Sequence, residues 1–266
     1  EIDGLRAIAV VAVILYHAQI TIFGHQPFKG GFIGVDIFFV ISGYLISRIL
    51  LGELLEKGKI SFLQFYERRA RRILPILFTV FLVSLPLAYN YLVPTQLINY
   101  AKSILSATFF SSNFFFYFTN TQYGAENSLF QPFLHTWSLG VEEQFYILFP
   151  LAIFLLLKGT KKYLFLILLF VTLFSIYSNS FSQDITKFYS SQYRIWEFLV
   201  GSLLVFVSFK KFGKFFTFSG FALIIFSVIN YEDSMLNLNS IEPKLIALLG
   251  VSLLIAANDD SLNKIY

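Results

Sequence analysis

The sequence predicts an all-α protein, a polytopic transmembrane helix bundle, and three observations predict it. Hydrophobic residues make up 56% of the 266 and charged residues only 14%, against about 25% charged in an ordinary soluble domain. The apolar residues gather into runs that, at about 1.5 Å per helical residue, are of the order needed to cross a hydrocarbon core of about 30 Å. The Lys and Arg residues concentrate in every second connection between those runs, the pattern of loops held on one side of a membrane. The net charge of +4 is modest, and no nucleic-acid partner is expected. There is no cysteine, which excludes disulfides, thiolate catalysis and Cys-based metal sites, and no metal site is expected.

Taken in order, the runs give about eight spans. The first covers 5–22 and opens with RAIAVVAVILYH, in which Arg6 begins an apolar stretch and His17 stands near its far end. Eleven residues of helix separate the two by about 16 Å. The second covers 30–50. A charged stretch, 52–72, ends in the cluster Arg68, Arg69, Arg71 and Arg72, and the third span follows over 73–92. Residues 98–118 are apolar but broken by Asn99, Lys102, Ser103, Ser106, Ser111, Ser112 and Asn113, so they read as one or two interfacial or re-entrant helices. A polar loop over 119–132 follows. The later spans cover 137–157, 163–177, 193–209, 215–231 and 244–257. With the N-terminus inside, the inner connections are 52–72, KGTKK (158–162) and KKFGK (210–214), all basic. Counting 98–118 as a crossing would put the last two outside, against the positive-inside rule. No leader peptide is evident, and the chain reads as one membrane domain, 1–266, trimmed at both ends.

Ionisable groups at membrane depth are costly and mark functional sites by default. Asp36 lies in the second span among Gly30, Gly31, Gly34, Ser42 and Gly43. It reads either as half of a tight helix crossing, paired to Arg or His, or as the carboxylate that orients an active-site imidazole at His17. The arginines at 68, 69, 71 and 72 read as a topology determinant, an anionic-lipid contact or a polyphosphate site. Arg6, on the same face of the membrane, can join them. In HTWSLGVEEQFYILFP, residues 135–150, the aromatic-belt reading of Trp137 and Tyr146 competes with a polar cavity built with His135, Ser138, Glu142 and Glu143. In YRIWEFLVG, Arg194 and Glu197 stand at i and i+3, as an intrahelical pair or as ligand contacts. A cavity with these hydroxyl and carboxylate groups suits a carbohydrate.

Arg-x10-His in the first span, GGFIGVDIFFVISGYLIS, FYERRARRILP, HTWSLGVEEQFYILFP and YRIWEFLVG, in this order along nearly the whole chain, together resemble the membrane acyltransferase-3 family. The resemblance is strongest to bacterial O-antigen and peptidoglycan O-acetyltransferases. That family's membrane domain is given about ten spans, so the resemblance implies a domain truncated at its C-terminus. Some members of that family add a further span and an extracytoplasmic SGNH-type esterase/transferase domain, which would here be a separate or missing partner.

The resemblance implies an O-acyltransferase of the bacterial inner membrane. Cytoplasmic acetyl-CoA is the implied co-substrate, with no permanently bound cofactor, and a hydroxyl of a lipid-linked or cell-surface carbohydrate is the acceptor. Carried over by motif, His17, Asp36 and Glu142 are the catalytic candidates. Arg6, Arg68, Arg69, Arg71 and Arg72 bind the donor. His135, Trp137, Ser138, Glu143, Tyr146, Arg194 and Glu197 face the acceptor. Here His17 is a general base or a transient acyl acceptor, with its tautomer set by Asp36 or Glu142. The competing reading is a transporter or exporter that uses the same intramembrane Arg, His, Asp and Glu as a substrate or proton path. The chain shows no paired halves with Gly- or Pro-broken helices to favour it.

Overall fold

The protein is known from a computed structural model that describes residues 2–121, 130–159, 163–179, 181, 184–231 and 241–258. Helices stand at all eight expected spans: α1 (Ile2–His17), α2 (Gly34–Lys57), α3 (Phe62–Tyr91), α6 (Thr136–Gly159), α7 (Leu164–Asn179), α9 (Ser191–Leu204), α10 (Gly213–Asn230) and α11 (Ile241–Asn258). Between them lie α4 (Pro94–Thr108), α5 (Ser112–Asn120) and the short α8 (Asp184–Tyr189). Among the described residues, four stretches are long and apolar enough to cross a membrane: Gly31–Lys57, Phe62–Tyr91, Thr136–Leu156 and Gly213–Asn230. Shorter apolar helices occupy Leu164–Asn179 and Lys244–Ala257. The ambiguous 98–118 run resolves into α4 and α5, of 15 and 9 residues. The two are separated by a break at 109–111, where Phe110 takes a left-handed φ of 53°, so the run is not one continuous helix. Much of the expected polar loop at 119–132, most of KGTKK and most of the 232–243 connection lie outside the described residues.

The chain divides into two compact units. The first contains Glu1–Gly58, Ile153–Phe188 and Gln192–Tyr266. Its framework is a set of close helix crossings made possible by small residues. Leu5, Ala9 and Ala12 form the buried stripe of α1. A 3-10 turn, Gly31–Ile33, packs on that stripe before α2 begins. Between α2 and α9 the backbones touch: a Cβ at Gly43 would strike the carbonyl oxygen of Phe198, and one at Gly201 that of Val40. The Phe39 and Phe198 rings stack beside this crossing, with centroids 4.4 Å apart. Helices α10 and α11 pack against each other, and α11 also packs on α2.

The second unit contains Lys59–Ala152 and Tyr189–Ser191. Helix α3 is 30 residues long, about 45 Å. It carries Pro75 and Pro86 internally; Thr79 Oγ1 and Asn90 Nδ2 donate to the two proline carbonyls at 2.7 and 2.8 Å. Helix α4 folds back on α3, where Ser84 Oγ lies 2.8 Å from Tyr100 OH. Phe133, in the turn before α6, meets Phe81 edge-on with centroids 5.0 Å apart.

Helices α3 and α6 run antiparallel, with Tyr66 beside Tyr146 and Ile147, Arg69 beside Glu143, and Phe81 beside Phe133. The helix that carries the expected span at 73–92 starts at Phe62, ahead of the arginines, so Arg69 stands abreast of the polar half of α6. Glu143 and Glu67 supply counter-charges for Arg69 and Arg71, which lets the helix continue through the cluster.

Candidate functional site

In the second unit, the motif expected to hold the donor meets the motif expected to face the acceptor. Arg69 Nη2 donates to Glu143 Oε1 at 2.8 Å. The same guanidinium lies over the Tyr146 ring, with Cζ 3.3 Å from the centroid. Tyr146 OH in turn hydrogen-bonds Glu142 Oε1, one turn back on α6. From α3, Tyr66 OH donates to the carbonyls of Tyr146 and Ile147 at 3.3 and 3.2 Å. Five side chains and two helices are thereby fixed together. Glu143 and Tyr146 are buried and Glu142 half-buried.

Arg68 and Arg72 are exposed, and Arg71 pairs with Glu67 on its own helix at 2.8 Å. At about 100° per residue, Arg68, Arg71 and Arg72 occupy one arc of about 100°; Arg69 falls outside it, toward Tyr66. Three guanidinium groups therefore face away from α6 and one faces it.

At the start of α6, Trp137 is buried with its ring edge-on to Tyr189, centroids 6.0 Å apart. His135 is exposed, and Ser138 Oγ donates to the His135 carbonyl at 3.1 Å. Next to them lies an amide cluster that sequence reasoning did not single out. Asn113 Nδ2 donates to the Tyr189 carbonyl at 3.0 Å. Gln144 Nε2 donates to Asn113 Oδ1 at 2.9 Å and to the Phe110 carbonyl at 3.0 Å. Ser191 Oγ donates to Gln144 Oε1. In sequence, Asn113 figured only as a polar break in an apolar run.

In the first unit, Arg6 and His17 share a stripe of α1, since eleven residues bring a helix back to within about 20°. Arg6 Nη1 lies 3.4 Å from Asp3 Oδ1. His17 is exposed, and its Nδ1 is 2.9 Å from the Val13 carbonyl oxygen. A carbonyl only accepts, so Nδ1 carries a proton, and in the neutral ring Nε2 is then the nitrogen with the lone pair. The expected Asp36–His17 contact is not formed. The tautomer partner is the helix's own backbone, one turn back.

Asp36 belongs to a different cluster. Arg194 Nη2 lies 2.9 Å from Asp36 Oδ1 and 3.2 Å from Glu197 Oε2. Lys244 Nζ lies 3.7 Å from Asp36 Oδ1 and 3.8 Å from Glu197 Oε1. Two carboxylates and two cations from α2, α9 and α11 thus form a neutral quartet, with every side chain at most 7% exposed. The Phe39 ring lies 5.1 Å from the Arg194 guanidinium. Of the residues expected to face the acceptor, Arg194 and Glu197 are in this quartet. Lys244 escaped sequence reasoning because it opens an apolar run, where a cation reads as a span boundary. Among the described residues, no group of three or more His, Asp or Glu side chains is arranged to hold a metal ion.

Comparison with known proteins bears directly on the ordered motifs. Residues 1–265 match a family model for the acyltransferase domain, type 3. The chain belongs to the acyltransferase-3 family. It is 36% identical over 213 residues to the O-acetyltransferase OatA of Staphylococcus aureus strain NCTC 8325, covering 77% of this chain and 34% of that one. It is 41% identical over 162 residues to the peptidoglycan O-acetyltransferase OatA of Listeria monocytogenes, covering 61% of this chain and 25% of the relative. The chain therefore spans about a third or less of the length of these curated relatives. No solved structure matches it.

Proposed function

We propose that the protein is the membrane part of an O-acetyltransferase that moves an acetyl group from acetyl-CoA to a carbohydrate hydroxyl. Support comes first from one observation: Arg69 of the basic motif is bonded to Glu143 and stacked on Tyr146 of the WSL–EEQFY motif. Two sequence elements assigned to the two substrates are parts of a single side-chain network. The family and the names of its relatives supply the reaction class.

In this reading the diphosphate and 3′-phosphate of the donor lie on Arg68, Arg71 and Arg72, whose planar guanidinium groups suit bidentate phosphate binding. Arg6 contributes from the same side of the membrane. The N-terminus is cytoplasmic and the membrane is that of a bacterial cell, with the basic connections inside. The pantetheine arm reaches inward over a distance like the roughly 16 Å from Arg6 to His17. His17 Nε2 takes the proton of the acceptor hydroxyl, whose oxygen attacks the thioester carbonyl. The C–S bond breaks, the CoA thiolate leaves, and the imidazolium returns the proton to it. Glu142, with Tyr146, orients the acceptor beside His135, Trp137 and Ser138. Asp36, Arg194 and Glu197 act on the scaffold through the quartet.

The test uses protein expressed from its full reading frame, in membranes, with labelled acetyl-CoA and a peptidoglycan or polysaccharide acceptor. The double variant Arg68→Gln/Arg72→Gln should raise KM for acetyl-CoA by about tenfold or more, since a charge-assisted phosphate hydrogen bond contributes roughly 1.5–3 kcal/mol, with kcat nearly unchanged. An unchanged KM with altered membrane insertion would assign those arginines to topology instead.

A further inference from the structure

We infer that Arg69 is a positioning residue for the Glu142–Tyr146 pair rather than a fourth phosphate ligand. This rests on the transferase reading above. The letters of FYERRARRILP give the four arginines equal standing; their surroundings do not. The Arg69 side chain is 18% exposed, whereas that of Arg71 is 79% exposed. Arg69 donates from Nη2 to Glu143 at 2.8 Å and lays its face on Tyr146 at 3.3 Å, with its Nε buried. A guanidinium buried between a carboxylate and a ring presents little surface to a phosphate in solution.

The same engagement gives it a positioning role. Tyr146 donates to Glu142 Oε1, so the direction of that carboxylate follows the tilt of the tyrosine ring. Arg69 sets that tilt from above, and Tyr66 fixes the α6 backbone beneath it through the carbonyls of Tyr146 and Ile147. Glu143 neutralises the arginine and anchors its Nη2 end. Glu142 is thereby presented in one orientation, while the neighbouring Glu143 serves only as counter-ion. This assigns different jobs to two adjacent carboxylates that sequence spacing cannot separate.

The experiment compares Arg69→Lys with Arg68→Gln/Arg72→Gln in the same membrane assay, reading kcat and KM for acetyl-CoA separately. Lysine keeps the charge, and with it the neutrality of the buried pair, but lacks the planar fork that can stack and bond at once. Arg69→Lys should lower kcat by tenfold or more, as small misplacements of a reacting group do, and leave KM for acetyl-CoA within about twofold. Glu143→Gln should reproduce the effect, and combining it with Arg69→Lys should add little. A raised KM with kcat preserved, or wild-type values of both, would overturn the inference while leaving the transferase reading intact. Wild-type protein that turns over no acetyl-CoA would overturn both.

Discussion

Replacing His17 by alanine is expected to lower kcat for acetyl transfer by about 10²- to 10⁴-fold, the range that one general base contributes, with little change in stability. The second half of that expectation comes from the structure. His17 is exposed at the end of α1 and touches the Val13 carbonyl and the edge of the Tyr16 ring, 4.9 Å between centroids. The buried stripe of α1 is Leu5, Ala9 and Ala12, and none of these packs through the imidazole. His17→Gln should lose as much activity as His17→Ala, because an amide can keep the hydrogen bond to Val13 but cannot carry the proton. Transfer rates in membranes and thermal unfolding in detergent check the two halves separately. Activity within a few-fold of wild type would remove the base assignment.

Breaking the buried quartet is expected to do the opposite: to destabilise the fold strongly whatever the chemistry. Arg194→Met leaves two carboxylates against Lys244 alone. Removing one partner of a buried ion pair destabilises by about 3–5 kcal/mol because the remaining charge is uncompensated. Glu197→Met leaves the opposite imbalance and should cost a similar amount. The double variant Arg194→Met/Glu197→Met leaves Asp36 facing Lys244, 3.7 Å away, as a neutral pair. It should therefore be more stable than either single variant. Thermal unfolding of the three detergent-solubilised variants reads this directly. Wild-type stability in Arg194→Met, or a double variant worse than both singles, would show that the quartet does not act as a closed unit.

The helices were largely legible in the sequence, and so was the break at 98–118. Apolar runs of sufficient length leave a chain in a bilayer few alternatives to helix, and the Ser, Asn and Lys residues of that run argued against a crossing. The ionisable groups were legible as a set, because charges inside apolar runs are rare. Their partners were not. Asp36 is 158 positions from Arg194, and nothing local distinguishes a carboxylate that faces an imidazole from one that faces a guanidinium. The α2–α9 crossing decides it, since Gly43 and Gly201 bring the two backbones together near Asp36 and Arg194. His17 finds its tautomer partner four residues back, in a carbonyl that every residue carries and that sequence reasoning therefore passes over. Arg69 differs from Arg68 only in the face of α3 it occupies, which has meaning only once α6 is known to lie there. Asn113 and Gln144 are 31 residues apart and make sense only as a pair.

The transporter reading and the transferase reading share the same intramembrane residues but differ in chemistry that needs no membrane gradient. The most direct test is to purify the protein from its full reading frame in detergent and follow thioester consumption with acetyl-CoA and a soluble glycan acceptor. The transferase reading predicts release of free CoA with matching O-acetyl ester on the glycan, abolished in His17→Ala. Intact thioester in the presence of both substrates, with substrate movement appearing only in sealed vesicles, would contradict it.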